Sequence, residues 1–350
     1  MQTVSNGKTS TGGSTAVVET VTGRETTMKA MVQDRYGRAE QVLRLEEIDR
    51  PEVGDDEVLL RVHAAGVDRG VWHLMTGQPY LMRIAGFGLR APKNHVLGRD
   101  LAGVVEVVGK DVTRFQPGDA VFGIGKGSFA EYACAREDKV EPKPKNLSFE
   151  QAAAVTISGS TALQALRDHG HVESGQQVLI IGASGGVGTF AVQLAKAFGA
   201  QVTGVCSTTK MDMVRSIGAD RVIDYTRNDF TEGDQRYDLI LDIGGNSPVR
   251  RLRRALTPKG TLIIVGGEGG GRWFGVGRQL RALMLSPFVG QRLRTFITSE
   301  NAKDLLVLTG LIESGKVTPV IDRTYSLAKV PEAIQYITEG RARGKIAITV

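Results

Sequence analysis

Cysteine is scarce in this chain of 350 residues, which holds only Cys134 and Cys206. Two cysteines exclude a disulfide framework and also a zinc site built from cysteine thiolates. Long apolar runs are absent as well, since no stretch reaches the roughly 20 residues that a membrane-spanning helix needs. The scarcity of cysteine is typical of a reducing compartment, and we expect a cytoplasmic protein.

The first 27 residues lack the apolar block of a secretory signal and are rich in Ser, Thr and Gly. Their two basic residues are offset by two glutamates, whereas a transit peptide is basic and poor in acids. We expect residues 1–27 to be a flexible extension, with folding that begins near Met28.

A strong excess of one charge sign is also absent, because 44 Lys and Arg residues face 38 Asp and Glu residues, a net charge of +6. Part of this excess lies in the run "RRLRR" at residues 250–254. Such a run can grip nucleic-acid phosphates, but it is more typical of a solvated helix face. We therefore expect no nucleic-acid partner.

Short apolar segments broken by Gly, Pro and Asp fill the chain from Met28 to about residue 150. They predict strands joined by turns, with few helices between them. The clearest are "MKAMVQDRYG", "EVLLRVHAAGV", "LAGVVEVVGKDV", "DAVFGIG" and "SFAEYACA". This half is predicted to be mostly β, as a partly closed barrel.

The pattern changes after Ala152, where apolar strands begin to alternate with helices. The stretch "QQVLIIGASGGVGTFAVQLAKAFGAQVTGVCS" predicts strand, glycine loop, helix and strand, and "DRVIDY", "YDLILDIG" and "GTLIIVGG" predict further strands. This alternation is typical of a parallel sheet covered on both faces. The final strand "KIAITV" and the helices before it are expected to return to the first domain and complete it.

The segment "GASGGVG" at residues 182–188 lies between a predicted strand and a predicted helix, the context of a dinucleotide-binding loop. Glycine lets the backbone approach a pyrophosphate, whose charge the helix N-terminus stabilises. The expected contacts are Gly182, Ser184, Gly185, Gly186, Val187 and Gly188.

At the end of the second strand of such a fold, an acidic residue usually binds the adenosine ribose, but this chain has "VCSTTK" there. Hydroxyls and an ammonium suit a 2′-phosphate, which a carboxylate would repel. Ser207, Thr208 and Lys210 therefore predict NADP rather than NAD, with Arg215 and Tyr225 beside the adenine end. The alternative is that Lys210 is only a surface lysine.

These motifs, from "MKAMV" through "LGRDLAGVVEVVGKDV" and "ASGGVGTFAVQLAKAFGA" to "GKIAITV", resemble the medium-chain dehydrogenase/reductase superfamily, above all its zinc-free, quinone oxidoreductase-like branch. The resemblance covers residues 28–350. It implies an α/β fold in which a Rossmann domain with a doubly wound parallel sheet, at 156–298, interrupts a GroES-like β domain. That domain spans 28–155 and is completed by 299–350, and the active site lies in the cleft between the two.

Metal-dependent relatives carry a zinc-binding His where this chain has Arg99, and a zinc-binding Cys where it has Asp68. An arginine stays protonated and has no lone pair for a metal. The resemblance therefore implies no metal site, with the charge of Arg99 paired with Asp100, Asp68 or both. Without a Lewis acid, the acceptors that remain reducible are electron-poor, such as quinones and carbonyl-conjugated alkenes.

His73 lies where quinone reductases carry a tyrosine and several zinc dehydrogenases carry a proton-relay histidine. Histidine is a suitable proton donor at neutral pH, and a packed or ribose-bonding histidine is the alternative. Asp68 is expected to orient His73 or to bind Arg99, although the quinone reductases have Asn there. Tyr80 is a weaker candidate donor.

Five further residues match family positions around the dinucleotide. Thr161 corresponds to a threonine near the nicotinamide, with a helix cap as the alternative. The others match loops that wall in the dinucleotide: Gly244, Val265, Gly266 and Lys345.

Residues 271–296 mix apolar and arginine side chains. One interpretation is a lid helix followed by an edge strand that pairs across a two-fold axis, which predicts a homodimer. The other is an arginine-flanked amphipathic helix at 272–290 that touches a membrane, where quinones reside.

The predicted function is NADPH-dependent, zinc-independent transfer of hydride to quinones or α,β-unsaturated carbonyls. A zinc-free, NADP-dependent alcohol or aldehyde oxidoreductase is the alternative. A non-catalytic NADPH-binding or interaction protein is the alternative of a different class.

Overall fold

A computed structural model describes residues 26–266 and 277–350 of the chain. Its strands are β1 (Thr27–Gln33), β2 (Leu43–Asp49), β3 (Glu57–Val67), β4 (Asp100–Val108), β5 (Ala120–Ile124), β6 (Tyr132–Arg136), β7 (Val140–Pro142), β8 (Gln177–Ile181), β9 (Gln201–Cys206), β10 (Arg221–Asp224), β11 (Tyr237–Asp242), β12 (Leu256–Ile264), β13 (Arg292–Thr295), β14 (Ile321–Ser326) and β15 (Lys345–Thr349). None of the helices described there has the length and apolar character needed to span a membrane.

Ten α-helices lie in the described residues: α1 (Ala39–Val42), α2 (Arg69–Thr76), α3 (Phe149–Ala153), α4 (Thr156–Gln164), α5 (Gly186–Ala197), α6 (Met211–Ser216), α7 (Val249–Ala255), α8 (Gly277–Leu285), α9 (Ala302–Glu313) and α10 (Val330–Thr338). The run "RRLRR" lies on α7. Its Leu252 is buried and Arg250 and Arg254 are exposed, while the half-buried Arg251 and Arg253 bind Asp229 and Gln291, so only part of the run is the predicted solvated helix face.

The first sheet is antiparallel over most of its width and follows the order β14-β15-β3-β4-β5-β7, with β6 added to β3. The central strand β3 pairs with β4, β6 and β15. The final strand of the chain therefore lies inside the sheet built by the first part. A separate hairpin of β1 and β2 lies beside it.

The second sheet is parallel throughout, in the order β10-β9-β8-β11-β12-β13. Counted from β8 this is the order 3-2-1-4-5-6 of a Rossmann fold, whose ligand crevice lies where the order reverses, between β8 and β11. On α5 the apolar side chains that recur at helical spacing include Phe190 and Leu194, which are fully buried, and Val187 and Phe198, which are half-buried at the ends of the helix.

One apolar cluster joins the two sheets. It runs from Ala64 and Phe122 in the antiparallel sheet through Leu163 in α4 to Ile180 in the parallel sheet. Because interiors are packed as densely as organic crystals, a shared core of this kind fixes the walls of the cleft between the domains.

Candidate active site

The glycine loop joins β8 to α5 and needs glycine for two reasons. Gly182 has a φ of 85°, and a Cβ on Gly188 would lie only 2.1 Å from the carbonyl oxygen of Gly182. Gly185 is the N-cap of α5. Because glycine has no side chain, it offers no acceptor to the first amides of the helix, and these can donate to a bound anion. Together with Ser184, Gly186 and Val187, this turn fits a pyrophosphate.

The last strand of the chain contacts this loop directly. The Gly344 amide donates to the carbonyl oxygen of Ser184 at 2.9 Å, and the Lys345 side chain lies 2.9 Å from where a Cβ on Gly186 would be. Lys345 thus lies against the start of α5. Its ammonium is buried and lies 3.3 Å from Oδ2 of Asp100, which is also buried.

Asp100 links three elements. Its Oδ2 faces Lys345 on β15, and its Oδ1 accepts from the amide of Ile157 in α4 at 3.1 Å. Burial raises the pKa of Asp100 to about 7, although the ammonium of Lys345 opposes the shift, and the nearby Asp68 carboxylate adds to it. This buried Asp–Lys pair, together with the hydrogen bond from Ile157, therefore holds β4, β15 and α4 together beside the cleft.

The predicted pairing of Arg99 with Asp100 or Asp68 is wrong. Arg99 instead pairs with Glu300, whose carbonyl oxygen also accepts from the ammonium of Lys139. Arg99 and Asp100 are neighbours at the start of an extended strand, where successive side chains point to opposite faces. Asp100 consequently points into the core and Arg99 into the cleft.

Asp68 has a different task from those predicted. It is the N-cap of α2, where its Oδ1 accepts from the amides of Gly70 at 2.6 Å and Val71 at 3.3 Å. Its Oδ2 is buried and has no hydrogen-bond partner among the described residues. That acceptor atom lies in the wall of the cleft.

His73 is oriented by the chain that follows its helix. Its Nδ1 lies 2.7 Å from the carbonyl oxygen of Gln78. A carbonyl only accepts, so Nδ1 carries the hydrogen and Nε2 of the neutral ring is an acceptor. Burial lowers the pKa of His73, which favours this neutral form. The geometry therefore suits a hydroxyl-bonding histidine better than a proton donor, while a catalytic role stays a prediction.

A cleft of about 250 Å³ brings together most of the predicted catalytic residues. Asp68, His73 and Arg99 line it, whereas Tyr80 lies outside this lining, with its ring 4.6 Å from the Arg83 guanidinium. Thr156 also lines it, and its buried Oγ1 has no partner among the described residues. Orphaned polar atoms beside the glycine-loop domain fit the polar groups of a nicotinamide nucleotide.

Thr161 lies in the middle of α4, so the helix-cap alternative is wrong. Its Oγ1 donates to the carbonyl of Ile157 at 2.7 Å and lies 2.8 Å from Oγ1 of Thr298. Thr298 and Glu300 line the cleft but were not predicted. The signal was present, because "TSEN" follows a strand of the parallel sheet, at the edge where such folds bind ligands.

The adenosine end of the crevice has both predicted and unexpected groups. Lys210 donates to the carbonyls of Gly340 at 2.7 Å and Ala342 at 2.8 Å, and burial together with the charge of Arg343 lowers its pKa. Thr208 donates to Asp224, a carboxylate that the sequence reasoning missed.

Two further predicted residues lie at this end. Ser207 precedes Thr208 and is half-buried, and the side chain of Tyr225 is exposed. Hydrogen bonds from Thr208 and Thr226 keep the pKa of Asp224 below its usual range. A 2′-phosphate here would meet hydroxyls, an ammonium and the nearby Arg343, together with one carboxylate that already has donors.

The loop after β11 lies against the glycine loop. A Cβ on Gly182 would be 3.0 Å from the Gly244 amide, and Val265 donates to the carbonyl of Asp242 at 2.9 Å, with Gly266 beside it at 3.4 Å. The buried Asp242 carboxylate pairs with Arg278 of α8. Burial raises the pKa of Asp242 and this guanidinium opposes the shift.

In the part of the chain that the structure describes, no group of three His, Cys, Asp or Glu side chains is placed to hold a metal ion. Arg99, which the sequence resemblance matches to the zinc-binding histidine of metal-dependent relatives, lines the cleft.

Comparison with known proteins assigns both halves of the chain. Residues 54–145 match the alcohol dehydrogenase GroES-like domain, and residues 217–348 match the zinc-binding dehydrogenase family. The mitochondrial NAD(P)H oxidoreductase RTN4IP1 of Mus musculus is 34% identical over an alignment that covers 95% of this chain and 92% of that protein.

Two further proteins, a reductase and a quinone oxidoreductase, are also similar to this chain over most of its length. The 2-methylene-furan-3-one reductase of Solanum lycopersicum is 34% identical, over 92% of this chain and 79% of its own. The structure of the quinone oxidoreductase from Coxiella burnetii gives a TM-score of 0.82 at 28% identity, over 93% of this chain and 99% of that one. The chain therefore belongs to the medium-chain dehydrogenase/reductase superfamily, in its quinone oxidoreductase-like branch.

Proposed function

We propose that this protein is an NADPH-dependent oxidoreductase that reduces quinones or α,β-unsaturated carbonyls in the cleft between its domains. The observation that carries the proposal is the cleft itself, where Arg99 and His73 line the space beside the domain of the glycine loop. Relatives named quinone oxidoreductase and NADPH-dependent alkenal/one oxidoreductase support the acceptor class. The bound NADPH supplies the hydride.

The chain's own residues hold the nucleotide and shape the acceptor site. The glycine loop and the start of α5 bind the pyrophosphate, and Ser207, Thr208, Lys210 and Tyr225 surround the adenosine end. Arg99 pairs with Glu300 through one of its five N–H groups, and its remaining N–H donors in the cleft stabilise negative charge as it develops on the acceptor oxygen. The proton comes from a side chain or from solvent.

The test is NADPH oxidation, with NADH in parallel, against an ortho-quinone and a simple enone. We expect turnover with NADPH well above NADH. Lys210→Ala is expected to lower this preference by about 10- to 100-fold, because it removes a charge-assisted contact. Lys329→Ala, which removes an exposed lysine paired with Glu332, is the control and should leave the preference unchanged.

Two outcomes would contradict this proposal. Tight NADPH binding with no turnover on any acceptor would indicate a binding protein. Turnover limited to saturated aldehydes and alcohols would indicate the alcohol or aldehyde oxidoreductase instead.

We further propose that catalysis needs no zinc. Support comes from the donor set, since Arg99 and its partner Glu300 line the cleft at the position of the family's zinc-binding histidine. Metal analysis of a preparation that turns over, made without chelator, is expected to find no stoichiometric zinc, and stoichiometric zinc would refute this.

We also propose a homodimer that forms through β13, which lies at the edge of the parallel sheet. Exposed apolar side chains on and after the neighbouring α8, among them Met284 and Phe288, support it. Within the segment 272–290, where the membrane interpretation expects arginines to face lipid, Arg278 instead points inward to Asp242, and residues 272–276 lie outside the described part. Light scattering should give a dimer for the wild type and a monomer for Phe288→Glu. A monomeric wild type that pellets with anionic liposomes would support the membrane interpretation instead.

A further inference from the structure

The mouth of the cleft is lined by apolar side chains from both domains. Met82 and Phe87, in the helical segment after α2, face the cleft together with Ile297, which follows β13 and is 96% exposed. Ile84 and Leu89 belong to the same segment as Phe87 and are 72% and 67% exposed. We name residues 81–89 with Ile297 the rim.

The backbone of the rim is held in place, so looseness of the segment does not account for this exposure. Arg83 donates to the carbonyls of Thr76 at 3.0 Å and Gly77 at 2.9 Å, and its guanidinium lies 4.2 Å from the ring centroid of Tyr36. The Tyr36 hydroxyl in turn donates to the carbonyls of Phe87 and Gly88, at 3.1 and 2.7 Å. Three exposed apolar side chains within residues 84–89, on a backbone held in this way, are typical of a binding surface.

The cleft is small for a whole acceptor. Its volume of about 250 Å³ lies below the roughly 300–1,000 Å³ of common ligand pockets, and part of it must also admit the nicotinamide. An acceptor larger than a single head group must therefore extend out through the mouth and across the rim. The sequence has no Asp or Glu between Asp68 and Asp100. An apolar tail that covers residues 81–89 therefore removes no carboxylate of that segment from water.

We propose that the rim binds the apolar tail of an amphiphilic acceptor. The enone or quinone head occupies the cleft, and an alkyl or isoprenoid tail lies over Phe87, Ile84, Leu89 and Ile297. This inference rests on the proposed function, and it identifies the acceptors as long-chain compounds.

The test measures kcat and KM for methyl vinyl ketone, 1-hexen-3-one, 1-octen-3-one and 1-decen-3-one, each below its aggregation concentration. We expect kcat/KM to rise about twofold for each added methylene, through KM, against about fourfold for full burial of a methylene. In Ile84→Ser/Leu89→Ser this dependence should flatten, while kcat/KM for methyl vinyl ketone stays unchanged. The matched control Leu45→Ser removes an exposed leucine of β2, outside the rim, and should keep the dependence.

The outcomes separate this inference from the function on which it rests. Turnover of all four enones at the same kcat/KM would overturn the tail site and leave the reductase function intact. No turnover of any quinone or enone would overturn the function. Pelleting with anionic liposomes that Ile84→Ser/Leu89→Ser abolishes, with the chain-length dependence unchanged in that variant, would show that the rim docks on a membrane instead.

Discussion

Lys345→Met is expected to lower the free energy of unfolding by about 3–5 kcal/mol, the largest stability loss predicted for a single substitution in this protein. The ammonium of Lys345 and the carboxylate of Asp100 are both buried and 3.3 Å apart, so removal of one leaves the other uncompensated. Asp100→Asn/Lys345→Met should recover part of the loss, because neither charge is then buried. Lys329→Met, at an exposed pair, should change stability by less than about 0.5 kcal/mol.

The loss should depend on pH. Burial already raises the pKa of Asp100 to about 7 in the folded protein, above its ordinary value, and loss of the Lys345 ammonium raises it further. A carboxyl whose folded pKa is raised stabilises the fold at acid pH, and that stability is lost as pH rises through the folded pKa. Urea denaturation of Lys345→Met should therefore show a smaller deficit near about pH 5 than near about pH 8. An equal deficit at both pH values would contradict a role for the Asp100 charge.

Gly188→Ala is expected to weaken NADPH binding by about 100-fold, in line with the effect of a displacement of about 1 Å at a precisely placed site. The new Cβ would lie 2.1 Å from the carbonyl oxygen of Gly182 and 2.7 Å from the carbonyl carbon of Ala183, so the glycine loop must move. Fluorescence titration with NADPH measures the affinity, and circular dichroism checks that the chain stays folded.

Gly310→Ala is the matched control, since no atom lies within 4 Å of a Cβ built at that position of α9. It should leave NADPH affinity unchanged and raise stability slightly, as Gly→Ala does at an unstrained helical position. If Gly188→Ala bound NADPH as tightly as this control, the glycine loop would not be the pyrophosphate site.

The glycine loop and the parallel strands could be predicted because their signals are local. A buried strand, Gly182 to Gly188 and the apolar face of α5 follow one another within a single stretch of sequence. The partner of Arg99 could not be predicted in this way. Glu300 lies far along the chain, after the whole Rossmann sheet, and only the folded cleft brings the two side chains together.

The rim shows a second limit of sequence reasoning. "YLMRIAGFGL" is apolar enough to be core, and nothing in its composition tells which side chains face solvent. The inward turn of Arg83 onto Tyr36 leaves Ile84 and Leu89 outside, and this contact depends on a residue from a distant part of the sequence, the loop between β1 and α1.

The contact between Gly344 and Ser184 also bears on the order in which the protein is built on the ribosome. Domains usually fold from the N-terminus as the chain emerges, but here β3 obtains its partner β15 only after the whole parallel sheet has been made. Gly344, the residue before this strand, supplies the backbone contact to the glycine loop, and the strand itself supplies the ammonium that pairs with Asp100. A nascent chain therefore cannot complete either its first sheet or its glycine loop until β15 has emerged, and both must be finished in one shared step that follows synthesis of the whole parallel sheet.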